Sequence, residues 1–199
     1  MILPRVYPIV DDAEWIAQLG AVGVRLVQLR LKGQPQVTVA AQIRRAQGLC
    51  ASFGIQLIVN DHWQLALAAG CDFVHLGQGD LEGADLGALR RAGVRLGIST
   101  HDEHELERAL ALAPDYVALG PIYHTTLKVM PWAPQGLARL GQWRRRVGAL
   151  PLVAIGGVTL ARLPEVFVAG ADVAAVVSDI LGAQDPPARA RQWLDVAAA

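Results

Sequence analysis

Two aspartates raise the first chemical question about this chain. Asp61, in Asn60-Asp61-His62-Trp63, and Asp80, in Gly77-Gln78-Gly79-Asp80, each follow a short apolar run. If those runs are neighbouring strands, the two carboxylates converge from adjacent loops, where their repulsion is costly unless a cation joins them. Hard oxygen donors without cysteine favour Mg2+, which commonly takes one or two protein carboxylates and fills its shell with water and substrate phosphate oxygens. Asp61 alone also fits the N-cap of the helix that follows; Asp80 on the next loop turns the balance toward a metal. Arg30, Lys32 and Lys128 offer positive charge to the same phosphates, the arginine as a planar fork and the lysines as point charges. Gly156-Gly157 and Val177-Ser178 follow two later runs and present bare backbone N–H groups to a second anion, although a double glycine also serves close packing. Two anion sites, one with metal and one without, point to two phosphorylated substrates.

The histidines and tryptophans speak less clearly. His75, His101 and His124 stand near strand ends, where a hydrogen-bonded structural role is common, and the same bland reading suits His62 and His104. No HxH or HExxH spacing points to zinc, and Ser99, although near His101, lacks a GxSxG elbow. Trp63 and Trp132 are large enough to cover a flat heterocycle, with core packing an equal alternative.

Positioning these groups requires a regular scaffold. Eight short runs alternate with alanine- and leucine-rich segments: Val6 to Val10, Val24 to Arg30, Ile55 to Asn60, Phe73 to Leu76, Val94 to Ile98, Tyr116 to Leu119, Leu152 to Ile155 and Val173 to Val177. That alternation predicts βα units with a parallel sheet, and eight units predict a (β/α)8 TIM barrel, an α/β fold in one compact domain over residues 1–199. Each unit has only about 25 residues, so loops on the face away from the chemistry must be short. Helix starts are expected at Asp11 and Asp12 before Trp15, at Thr100 and Asp102 before Glu105, and at Thr159 before Leu163. Ala69-Gly70-Cys71-Asp72 and Ala169-Gly170-Ala171-Asp172 read as one αβ turn used twice. A doubly wound open sheet would need a glycine-rich phosphate turn after the first strand, and Ile9-Val10-Asp11-Asp12 offers none. The long connection from Tyr123 to Pro134 reads as an active-site loop.

Composition narrows the function classes. Hydrophobic residues make up 53% of the chain and charged ones 18%, which fits strands buried on both faces and excludes disorder. Lysine plus arginine equals aspartate plus glutamate at 18 each, so no overall field gathers nucleic acid or an anionic membrane, and anions must be captured locally. Cys50 and Cys71 lie in apolar stretches and read as buried thiols of a reducing cytoplasm. With neither a leader-like N-terminus nor ~18 uninterrupted apolar residues, a cytoplasmic location is expected. A homo-oligomer is compatible with all of this.

The ordered motifs resemble those of the thiamine-phosphate synthase (thiamine-phosphate pyrophosphorylase) family from Tyr7 to about Ile180. They are Gln28-Leu29-Arg30-Leu31-Lys32, Asn60-Asp61-His62-Trp63, Val74-His75-Leu76-Gly77-Gln78-Gly79-Asp80, Leu96-Gly97-Ile98-Ser99-Thr100-His101, Gly120-Pro121-Ile122-Tyr123, Ala154-Ile155-Gly156-Gly157 and Ala175-Val176-Val177-Ser178. The resemblance implies a transferase of thiamine biosynthesis. It would join 4-amino-2-methyl-5-hydroxymethylpyrimidine diphosphate to 4-methyl-5-hydroxyethylthiazole phosphate, or its carboxylated form, giving thiamine phosphate and pyrophosphate. By motif, Gln28, Arg30, Lys32, Asn60, Ser99 and Lys128 would hold the pyrimidine diphosphate, and Asp61 with Asp80 would hold Mg2+. Thr125, Gly157, Val177 and Ser178 would hold the thiazole phosphate. The sequence departs from the family's Thr-x-Thr-Lys run by reading Thr125-Thr126-Leu127-Lys128, so the second hydroxyl is either lost or supplied by Thr126. His62 replaces a more usual tyrosine or aspartate and is expected to touch no more than a metal's outer shell. The competing readings are a thiazole tautomerase of the same superfamily and a non-catalytic binder of thiamine precursors. The retained Gln28, Lys32, Asp61 and Asp80, and Pro121 where the tautomerase carries a catalytic histidine, argue against the first.

Overall fold

The strands need cover on both sides, and the fold provides it by closing the sheet on itself. The computed structural model describes residues 2–125 and 132–198, so Thr126, Leu127, Lys128 and Pro131 lie outside the described residues. Eight parallel strands pair in sequence order and β8 closes onto β1. They are β1 (Val6–Val10), β2 (Leu26–Leu29), β3 (Gln56–Asn60), β4 (Phe73–Leu76), β5 (Arg95–Thr100), β6 (Tyr116–Leu119), β7 (Leu152–Ala154) and β8 (Val173–Val176). The expected (β/α)8 barrel is therefore present.

Alternation along each strand sorts the side chains into two cores. One is the barrel interior, built by Tyr7, Ile9, Leu26, Ile58, Phe73, Tyr116, Val153 and Val173 among others. The other lies between the barrel wall and the helices, where Val6, Val27, Val59, Val74, Ile98 and Val117 meet Ile16, Leu19, Ile43, Leu106 and Trp143. The helices are α1 (Glu14–Ala21), α2 (Gln36–Phe53), α3 (Trp63–Ala68), α4 (Gln78–Leu81), α5 (Leu86–Arg91), α6 (Glu103–Ala111), α7 (Gly136–Val147), α8 (Leu163–Val168), α9 (Ser178–Leu181) and α10 (Pro186–Ala198). No helix among the described residues is long and apolar enough to cross a membrane.

Several expected boundaries shift. The second strand begins at Leu26 rather than Val24 and ends before Arg30, although the Arg30 amide still donates to Val10 O at 2.8 Å. The seventh and eighth strands stop before Ile155 and Val177, which puts both residues in the loops above the barrel. Asp102 caps α6 by accepting from the Glu105 amide at 2.8 Å, and Asp12 accepts from the Glu14 amide at the start of α1. Thr100 is not a cap. It ends β5 fully buried, donates to Ala118 O and accepts from the indole of Trp143 at 2.9 Å. Thr159 precedes a short 3-10 turn, Leu160–Arg162, without a side-chain cap. The two glycine-aspartate turns serve the same purpose twice, since Asp72 pairs with Arg95 and Asp172 with Arg144, each at 2.5 Å.

Candidate active site

Inward-facing positions change character toward the C-terminal ends of the strands. Above Leu26, Ile58, Phe73 and Gly97, respectively, stand Gln28 on β2, Asn60 on β3, His75 on β4 and Ser99 on β5. They line a cavity of about 500 Å3 that opens at this end of the barrel. Arg30, Lys32, Asp61 and Asp80 line its βα-loop side. Thr125, Gly156, Gly157, Val177 and Ser178 face it from the later loops. Every site residue expected from the sequence and described here thus meets in one cavity; Thr126 and Lys128 fall outside the described residues.

Asp61 owes its place to an unusual backbone. It adopts φ 60, a left-handed conformation uncommon for a residue with a side chain but tolerated by aspartate. Its amide donates to His75 O at 3.0 Å and its carbonyl accepts from the Trp63 amide at 2.7 Å. The helix-cap alternative fails, because the residue at the N-cap of α3 is His62 and no side chain caps that end. Instead the Asp61 carboxylate pairs with Lys32, and Asp80 stands near enough for the two carboxyls to act on each other. Burial acts to raise the pKa of Asp61, but the hydrogen bond and charge of Lys32 hold it below the usual carboxylate range. Asp80 is pushed up, first by burial and then by the charge of Asp61.

Two carboxyls brought together in this way fit a hard dication, since a metal replaces their repulsion with two attractive contacts. Among the described residues no group of three or more His, Cys, Asp or Glu side chains forms a metal-holding cluster. A cation held by Asp61 and Asp80 would therefore complete its shell with water or ligand oxygens, as Mg2+ commonly does. Two further polar atoms are poised nearby. Asn60 Nδ2 and Gln78 Oε1 are buried without partners among the described residues, while Gln78 Nε2 donates to Ser99 O at 2.7 Å.

Packing alone requires the double glycine. Gly156 and Gly157 have φ of 95 and 64, and a Cβ on Gly156 would stand 2.6 Å from Pro121 Cα. Backbone bonds of 2.9 Å from Ile122 to Ile155 and from Tyr123 to Gly156 draw the two loops together there.

The histidines divide. His62 Nε2 bonds Leu31 O at 2.9 Å and ties the Lys32 loop to the Asp61 loop. His75 is held between Ser99 and Tyr116, and burial lowers its pKa to about 4, so the ring is neutral near pH 7. His101 bonds Glu105 at 2.7 Å and stacks on Trp132 with ring centroids 3.9 Å apart, at the cavity edge. His104 and His124 are exposed. Trp63 packs on the core behind the barrel wall rather than over the cavity. Tyr7 on β1, a polar ring inside an otherwise apolar strand and not part of the recognised motifs, also lines the cavity and bonds Gln28 at 2.8 Å.

A family model described as thiamine monophosphate synthase matches residues 6–180. A thiamine-phosphate synthase of Rhizobium etli is 60% identical over 194 residues, covering 98% of this chain and 95% of the relative. One of Cronobacter sakazakii is 46% identical over 191 residues, covering 96% and 91%. A solved thiamine phosphate pyrophosphorylase from Pyrococcus furiosus superposes with a TM-score of 0.85 at 24% identity, covering 98% of this chain and 96% of that one. A 3-hexulose-6-phosphate synthase does so at 0.70 and 20% identity, covering 96% and 99%. At those identities the two structures bear on the fold alone. The sequence matches extend along nearly the whole chain, and the protein is a transferase that belongs to the thiamine monophosphate synthase family.

Proposed function

We propose that the protein, as a single catalytic domain in the cytoplasm, makes thiamine phosphate from a pyrimidine diphosphate and a thiazole phosphate with the help of Mg2+. The substrates are 4-amino-2-methyl-5-hydroxymethylpyrimidine diphosphate and 4-methyl-5-hydroxyethylthiazole phosphate, or the carboxylated thiazole. The C–O bond to the diphosphate breaks first and its electron pair departs with pyrophosphate. The 4-amino group of the pyrimidine feeds density into the methylene cation that is left, and the thiazole nitrogen then attacks it.

The observation that carries this reading is the meeting of Asp61, Asp80 and Lys32 on one side of the cavity. Asp61 and Asp80 hold Mg2+, which when bound neutralises charge on the departing diphosphate. Arg30, Lys32 and Lys128 hold the diphosphate oxygens, and fixed charges in a water-poor cavity need no reorganisation as the bond breaks. Gln28, Asn60 and Ser99 hold the pyrimidine. Thr125, with Thr126 beside it, Gly156, Gly157, Val177 and Ser178 hold the thiazole phosphate. No general base is needed at the thiazole nitrogen, in keeping with a site whose buried histidine, His75, is neutral and committed to structural bonds. A thiazole tautomerase would have no use for the carboxylate pair and its lysine.

Purified protein mixed with both phosphorylated precursors and Mg2+ is expected to release thiamine phosphate and pyrophosphate, and to stop in chelator or as Asp61→Ala. Equal product in chelator would contradict the metal role, and tautomerised thiazole as sole product would replace the proposed reaction.

A further inference from the structure

Five side chains form one hydrogen-bonded line through the barrel interior, and its two ends are Gln28 and Ser99 in the cavity. Gln28 Nε2 donates to Tyr7 Oη at 2.8 Å, and Tyr7 Oη lies 3.1 Å from Tyr116 Oη. Tyr116 Oη is 2.7 Å from His75 Nδ1, and His75 Nε2 is 2.8 Å from Ser99 Oγ. Gln28, Tyr7, Tyr116 and His75 are all buried. Packing fixes the middle of the line. Tyr116 stacks on His75 and meets the rings of Tyr7 and Phe73 edge-on, in a space that exists because residue 97 is glycine: a Cβ there would stand 2.1 Å from Tyr116 Cζ.

Donors and acceptors along such a line must all point the same way, because a buried hydroxyl with no acceptor carries the full desolvation penalty. The amide nitrogen of Gln28 can only donate. Tyr7 therefore accepts from it and passes its own proton to Tyr116, the other hydroxyl it meets. Tyr116 in turn donates to His75 Nδ1, which requires the imidazole proton on Nε2, where it is given to Ser99 Oγ. The Ser99 proton is then left for the cavity. At the other end, the Gln28 amide keeps its carbonyl oxygen and its second N–H for a ligand.

We propose that Tyr7, Tyr116 and His75 are positioning residues that fix the Gln28 amide and make Ser99 a hydrogen-bond donor toward the pyrimidine. This rests on the proposed reaction. The pyrimidine ring presents nitrogen lone pairs, which match a donor at Ser99.

The imidazole is tested first, by 15N NMR of the unliganded protein: His75 is expected as the Nε2–H tautomer with bare Nδ1, and an Nδ1–H ring overturns the relay. Kinetics with the pyrimidine diphosphate then follow a double-mutant cycle of Tyr116→Phe and Ser99→Ala. Tyr116→Phe removes one hydroxyl and keeps the ring; it is expected to lower kcat/KM by on the order of tenfold. In the Ser99→Ala background it is expected to do nothing further, whereas a purely structural role would give additive losses. Additive losses overturn the proposal. Wild-type protein that turns over no pyrimidine diphosphate would overturn the reaction, while normal turnover with an Nδ1–H imidazole would overturn the relay alone.

Discussion

Replacing Gly157 by alanine separates two demands placed on the loop after β7. Gly157 has φ 64, and an added Cβ would lie 2.5 Å from His124 O and 2.8 Å from Tyr123 Cβ. Gly54, at the end of α2, has nearly the same backbone, φ 63, but a Cβ there would meet nothing within 4 Å. Gly54→Ala therefore reports left-handed strain alone, about 1–2 kcal/mol. Gly157→Ala carries that strain plus an overlap with backbone that is pinned by the Tyr123 amide to Gly156 O and by the Tyr123 hydroxyl to Glu165, a further cost of about 1–3 kcal/mol. For a chain of this size each kcal/mol moves Tm by about 2–4 °C, so Gly157→Ala should melt about 2–12 °C below Gly54→Ala. Thermal unfolding by circular dichroism measures both. Equal shifts would show that the Tyr123–His124 segment yields, and would refute close loop contact as the reason for glycine at this position.

Two other outcomes are expected. Lys128→Ala should lower kcat by on the order of a hundredfold, the loss typical of one preorganised charge contact to a departing group, and unchanged steady-state kinetics would remove the lysine from the site. Burial raises the Cys50 thiol to about 12 and the Cys71 thiol to about 11, so both stay protonated through neutral pH and should ignore a thiol reagent until the protein unfolds; rapid labelling of native protein would contradict their burial.

The barrel was legible because strands covered on both faces are written as apolar runs, and eight of them recur between helical segments. Strand ends were less so: Val24 is as apolar as Leu26, and only pairing to neighbours decides where a ladder starts. The approach of Asp61 to Asp80 could be read from adjacent βα units, because sequence neighbours are spatial neighbours in this fold. The left-handed backbone of Asp61 could not, since its local sequence fits a helix cap equally well. The line from Gln28 to Ser99 was hidden for a different reason. It joins Tyr7 on β1 to Tyr116 on β6, 109 positions apart, and that contact exists only once the barrel has closed. His75, read alone as a structural histidine, acquires direction only from the partners on either side of it.

The carboxylate pair is most directly tested by calorimetric titration of pyrophosphate into the wild-type protein and Asp61→Asn, each with Mg2+ and with chelator. Binding is expected to wild type with Mg2+ alone, and to be lost when either the cation or the charge at position 61 is removed. Pyrophosphate binding of equal strength in chelator would mean that the cations hold the leaving group unaided, and that the meeting of Asp61 with Asp80 serves some other end.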